Sequence, residues 1–63
     1  MRKMIELTRL DGEALWVNAT QILTIEAPLN GDHKDAGARL RFGSGFVLVR
    51  ETVPEAIQTI WED

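Results

Sequence analysis

Cysteine and tyrosine are both absent from the 63 residues. Without cysteine there are no disulfides and no thiolate zinc sites, a composition that fits a reducing compartment. Histidine occurs once, as His33, so any Ser/His/Asp arrangement would depend on that one residue, which lies in a polar loop. No apolar run approaches the roughly 18 residues that span a bilayer. Met1-Arg2-Lys3-Met4 is followed by Glu6, Thr8 and Arg9 rather than by the apolar core of a signal peptide. A cytoplasmic protein is the expectation. A basic excess is also lacking, because ten acids against seven bases give a formal charge of −3. Free-standing nucleic-acid binders usually carry the opposite sign. A chain of this length is expected to be a single domain, residues 1–63. Such a domain buries only about 60% of its unfolded surface, which makes self-association the simplest supplement to a small core.

The sequence does carry clear local signals. Thr52-Val53-Pro54-Glu55 has the form of a capping box, with Thr52 as N-cap and Glu55 reaching back to its amide. Pro54 falls in the first turn, where the missing N–H costs nothing. Val53, Ile57, Ile60 and Trp61 follow at i, i+4, i+7 and i+8, which predicts an apolar stripe on one helix, with Gln58, Thr59 and Glu62 opposite. A helix this short does not persist alone in water, so it must dock. Before it, Ala38-Arg39-Leu40-Arg41-Phe42 alternates as a strand, and Gly43-Ser44-Gly45 supplies hairpin chemistry. Phe46-Val47-Leu48-Val49 is apolar on both faces, as in a central or doubly buried strand.

Nearer the N-terminus, residues 4–10 and 13–17 read as strands around the Asp11-Gly12 turn signal. Asn18-Ala19-Thr20 is turn chemistry, residues 21–27 read as a third strand of uncertain facing, and Pro28 ends it. Residues 29–37 form one long polar loop. Five short strands and a terminal helix predict an α+β fold: a five-stranded antiparallel meander, curved or partly closed into a barrel, with one C-terminal α-helix.

Few groups carry chemistry. Asp32, His33 and Asp35 have metal-ligand side chains, yet three ligands on one loop lack the supports that orient a site. A solvated loop is the simpler account, and no metal or cofactor is expected. Gly43-Ser44-Gly45 joins two strands and does not open onto a helix, so it is no phosphate cradle. Arg39 and Arg41 sit two apart on one strand and thus share its outer face. With Arg9 and Arg50 they offer a basic stripe for an acidic partner or RNA, unless interleaved acids pair with them. Trp16 faces away from Leu15 and Val17. It is either an exposed contact residue or buried by curling of the sheet. Trp61 is expected in the core. No catalytic set emerges, and the chain is expected not to be an enzyme.

Several stretches resemble a known family. Met4-Ile5-Glu6-Leu7-Thr8-Arg9-Leu10-Asp11-Gly12, then Val17-Asn18 and Ile25-Glu26, look like the opening of the FlbD/SwrD-type small flagellar proteins. The close, Phe46 to Thr52 with Glu55 and Ile57, is similar to that family's ending. The chain departs from the pattern where Pro28 opens a longer, charged loop. The resemblance implies a cytoplasmic, non-enzymatic accessory of the bacterial flagellar system, linked to swarming and motor power. The reading it supports is an interaction module, acting as a homo-oligomer or on a flagellar or other protein partner, with Trp16, Arg39 and Arg41 as candidate contacts. A second likeness, to the RNA-binding carbon storage regulators, rests on Leu7-Thr8-Arg9, the short strands and the terminal helix. It supplies the alternative of a post-transcriptional regulator.

Overall fold

The computed structural model describes residues 3–62. Met1, Arg2 and Asp63, and with them part of the N-terminal leader reading, lie outside the described residues. In chain order come β1 (Met4–Thr8), β2 (Ala14–Asn18), a 3-10 turn (Ala19–Gln21), β3 (Thr24–Glu26), β4 (Ala38–Phe42), β5 (Gly45–Val49) and α1 (Val53–Trp61). The α+β class is as expected.

The single meander is not. The strands form two antiparallel sheets, β1–β2 and β3–β4–β5. The cause lies at Asn18, whose carboxamide oxygen accepts from the Thr20 N–H at 3.0 Å and from its hydroxyl at 2.6 Å. Such local side-chain bonds compete with strand ladders. Here they wind residues 19–21 into the 3-10 turn, and the Ile22 N–H closes onto the Ala19 carbonyl. The stretch expected to run as a strand from Gln21 therefore leaves β2, and β3 shrinks to three residues beside β4.

Nor does the barrel close. The β1 and β5 ends meet at one backbone bond, from the Arg50 N–H to the Thr8 carbonyl at 2.9 Å. Beyond it, side chains stand in for a ladder. The Glu51 carboxylate accepts from the Thr8 N–H (2.9 Å) and hydroxyl (2.8 Å), and the Arg50 guanidinium donates to the Leu10 carbonyl. After Thr8 the chain turns back, with the Arg9 N–H on the Glu13 carbonyl at 2.8 Å, so no further residues of β1 can pair with β5. Gly37 completes the join. A Cβ there would run into the backbone oxygens of Arg50 and Glu51, and its N–H donates to the Val49 carbonyl at 2.7 Å.

The core fills the space between sheets and helix: Ile5, Leu7 and Val17 from the first sheet, Ala38, Leu40 and Val49 from the second, Ala19 from the turn, and Ala56 and Ile60 from α1. The inward stripe of α1 is Val53, Ala56 and Ile60, with Ile57 and Trp61 turned outward. This corrects the expected facing, including that of Trp61, which is 65% exposed. Ala56 is wholly buried, and a small side chain at the closest contact lets the helix axis approach the sheets. An isoleucine in that position would hold it off. Strand β5 also differs from expectation. It is an edge strand, with β4 central, and Phe46 lies on the outer face rather than in the core. Of the hairpin residues 43–45, Gly45 alone has a positive φ, 154°.

Candidate interaction surface

Register sets the outer face of the second sheet. Glu26, Arg39 and Leu48 form one row, and Thr24, Arg41 and Phe46 the next. Phe46 is thus the diagonal neighbour of Arg39, within reach for an aromatic side chain. The Arg39 guanidinium carbon lies 3.7 Å from the Phe46 ring centroid, a cation–π contact. Its Nη1 donates to Asp32 Oδ1 at 3.1 Å and Oδ2 at 3.3 Å, and its Nε stands 3.6 Å from Glu26 Oε1. Asp32 is in turn fixed by the Leu29 N–H, 2.7 Å from Oδ2. Two carboxylates and a ring therefore hold one guanidinium whose side chain is only 15% exposed. Arg39 acts as an internal clamp for the long loop. Arg41 remains exposed, and no ion pair reaches it among the described residues.

Asp32 is thereby drawn away from the other two potential ligands of its loop. His33 Nδ1 accepts from the Asp35 N–H at 3.1 Å and lies 3.8 Å from Asp35 Oδ2. Among the described residues no group of three or more His, Cys, Asp or Glu side chains is arranged to hold a metal. At the helix start, Thr52 Oγ1 accepts from the Glu55 N–H at 3.3 Å, and Glu55 Oε1 accepts from the Thr52 N–H at 2.8 Å. The bond from the Thr52 backbone N–H, and secondarily the Thr52 side chain beside it, hold the Glu55 carboxyl below its ordinary value of 4.5. The pair serves the helix rather than a ligand.

On the first sheet, Trp16 stands opposite Glu6, with Met4 diagonal to it. Trp16 is 59% exposed and Met4 half-exposed. Curling does not cover the indole, because this sheet ends at two strands and α1 packs on its other face. Trp16 is thus on a different sheet from Arg39 and Arg41, and the three do not form one surface. Sequence reasoning missed the Asp32–Arg39–Phe46 assembly. Part of it was within reach, since the two-residue Gly43-Ser44 turn already sets Arg41 against Phe46 and hence Arg39 on its diagonal.

These features describe a small α+β protein with exposed large apolar side chains and, among the described residues, no group of three or more side chains placed to hold a metal. Residues 4–30 match the FlbD family model, described as flagellar and swarming motility proteins. The resemblance read from the N-terminal residues lies within that range. The matched range runs from β1 through β3 and includes Trp16. The C-terminal likeness lies outside it. No curated protein and no solved structure gives a significant match. Among the described residues no helix is long and apolar enough to cross a membrane.

Proposed function

We propose that this chain is a non-enzymatic, cytoplasmic interaction module of the flagellar and swarming machinery, and that it works as a homo-oligomer through the outer face of the β1–β2 sheet. The observation that carries the reading is Trp16. It is a large aromatic, 59% exposed on a two-stranded sheet, diagonal to Met4 and within the matched residues 4–30. Interface hot spots are enriched in tryptophan, and Met is over-represented at interfaces. The core, nine small to medium side chains among the described residues, would gain from burial against a second copy. Light scattering at high micromolar concentration is expected to give a multiple of 7.1 kDa for the native chain and the monomer mass for Trp16→Ala. A strictly monomeric native chain would overturn the oligomer. The RNA-binding alternative gains no support from the structure, because Arg39, the middle of its basic stripe, is already engaged by Asp32 and Glu26.

A further inference from the structure

The seam that fails to close leaves a groove of about 440 Å³ between Arg9, Leu10 and Asp11 on one wall and Phe46, Val47 and Leu48 on the other. That volume lies within the roughly 300–1,000 Å³ of clefts that hold ligands. The β5 wall is a strand edge. The Arg50 N–H points away from β4, toward Thr8. Backbone direction along a strand repeats every second residue, so the N–H and C=O groups of Leu48 and Phe46 point the same way, into the groove. No hydrogen bond reaches those outward groups among the described residues.

Exposed edges are usually guarded by charge, proline or brevity. The opposite edge of the same sheet is guarded in these ways: β3 has three residues, carries Glu26 and is followed by Pro28. Strand β5 has five residues, Gly45-Phe46-Val47-Leu48-Val49, with no charge and no proline. Its groove side presents Leu10 and Val47, with Arg9 and Asp11 flanking Leu10 on the far wall, and its outer side presents Phe46 and Leu48.

We infer that this edge is a strand-addition site that takes an extended segment of a partner polypeptide, with aliphatic residues at alternate positions. The occupant is a lone strand rather than the edge of a second copy. A second β5 brings its own β4 about 4.8 Å behind it, and Arg9, Leu10 and Asp11 line that side of the groove. Main-chain bonds to Phe46 and Leu48 supply affinity, and alternate side chains on Val47 and on Phe46 and Leu48 supply selectivity. The site lies outside residues 4–30 and on the other sheet from Trp16, so it stands or falls independently of the oligomer.

The test uses the unmodified protein and the acetylated, amidated peptide Lys-Thr-Val-Thr-Val-Thr-Lys, made in three forms: plain, N-methylated at even-numbered amides, and N-methylated at odd-numbered amides. The plain peptide is expected to shift and protect the amide resonances of Phe46 and Leu48. One methylated phase should bind about tenfold or more weakly, because it loses the bonds that face β5, while the other stays within about twofold. Two outcomes overturn the inference: no change at Phe46 and Leu48 up to millimolar peptide, or equal weakening by both phases, which would mean apolar adsorption without strand pairing.

Discussion

The outer face of the β1–β2 sheet and that of the β3–β4–β5 sheet each carry one large aromatic, Trp16 and Phe46, exposed to nearly the same degree at 59% and 54%. What adjoins each ring differs. Phe46 lies against a guanidinium held by Asp32 and Glu26. Trp16 has Glu6 across the strand pair, and a carboxylate gains nothing from the negative face of a ring. The same exposed area therefore does two things. In the second sheet it helps tie a nine-residue polar loop, 29–37, to the fold. In the first, no such contact holds the ring among the described residues, and the proposed interface is where it would be covered.

The largest expected effect comes from breaking the join between the two sheets. Gly37→Ala places a methyl group against the backbone oxygens of Arg50 and Glu51, and backbone gives way less readily than a side chain. A loss of about 3 kcal/mol or more is expected, a large share of a typical total of about 5–15 kcal/mol. Urea unfolding would show it as a lowered midpoint, and an unchanged midpoint would mean that the contact is not tight. A smaller pair of substitutions sharpens the contrast between the faces. Asp32→Ala leaves Arg39 with Glu26 alone and is expected to cost about 1–2 kcal/mol for a charged bond with little solvent access. Glu6→Ala, beside Trp16, should stay within about 0.5 kcal/mol. Equal costs in the same denaturation series would erase the distinction drawn between Phe46 and Trp16.

The smallest effect concerns neither sheet. Glu55 has a folded pKa below 4.5, so its capping bonds contribute fully above that value and fade as pH falls through the folded pKa. Thermal melts from pH 7 to pH 2.5 should show a small deficit for Glu55→Gln at neutral pH that vanishes in acid. A deficit that persists at pH 2.5 would assign the stabilisation to something other than the ionised carboxylate.

Those effects also mark what was legible in the chain. Thr52 and Glu55 lie three apart, as do the partners in most caps, so four consecutive letters suffice to read the bond. Asn18 was recognisable as a turn residue for the same reason. What could not be read was the reach of that turn: whether Asn18 bends one residue or ends a sheet depends on whether β3 finds β4, some fifteen residues away, more attractive than β2. The facing of α1 failed in a related way. Hydrophobicity favours Ile57 and Trp61 over Ala56, yet the choice is made by how closely the helix approaches β1, β3 and β4, and size at that contact outweighs greasiness. Arg39 looked like a surface cation because its captor, Asp32, sits in a loop whose path no periodicity describes.

The Thr8–Glu51 bonds join residues 43 positions apart, while the β1–β2 and β4–β5 hairpins each close over a handful of residues. Ordering a loop of that length carries an entropic cost that local hairpins do not incur, so the two halves zip early and the bridge between them is made last. An interaction formed after the rate-limiting barrier leaves the speed of folding nearly untouched. Glu51→Gln is therefore expected to shorten the lifetime of the folded molecule while leaving the refolding rate nearly unchanged, and stopped-flow refolding slowed as much as unfolding is hastened would refute this.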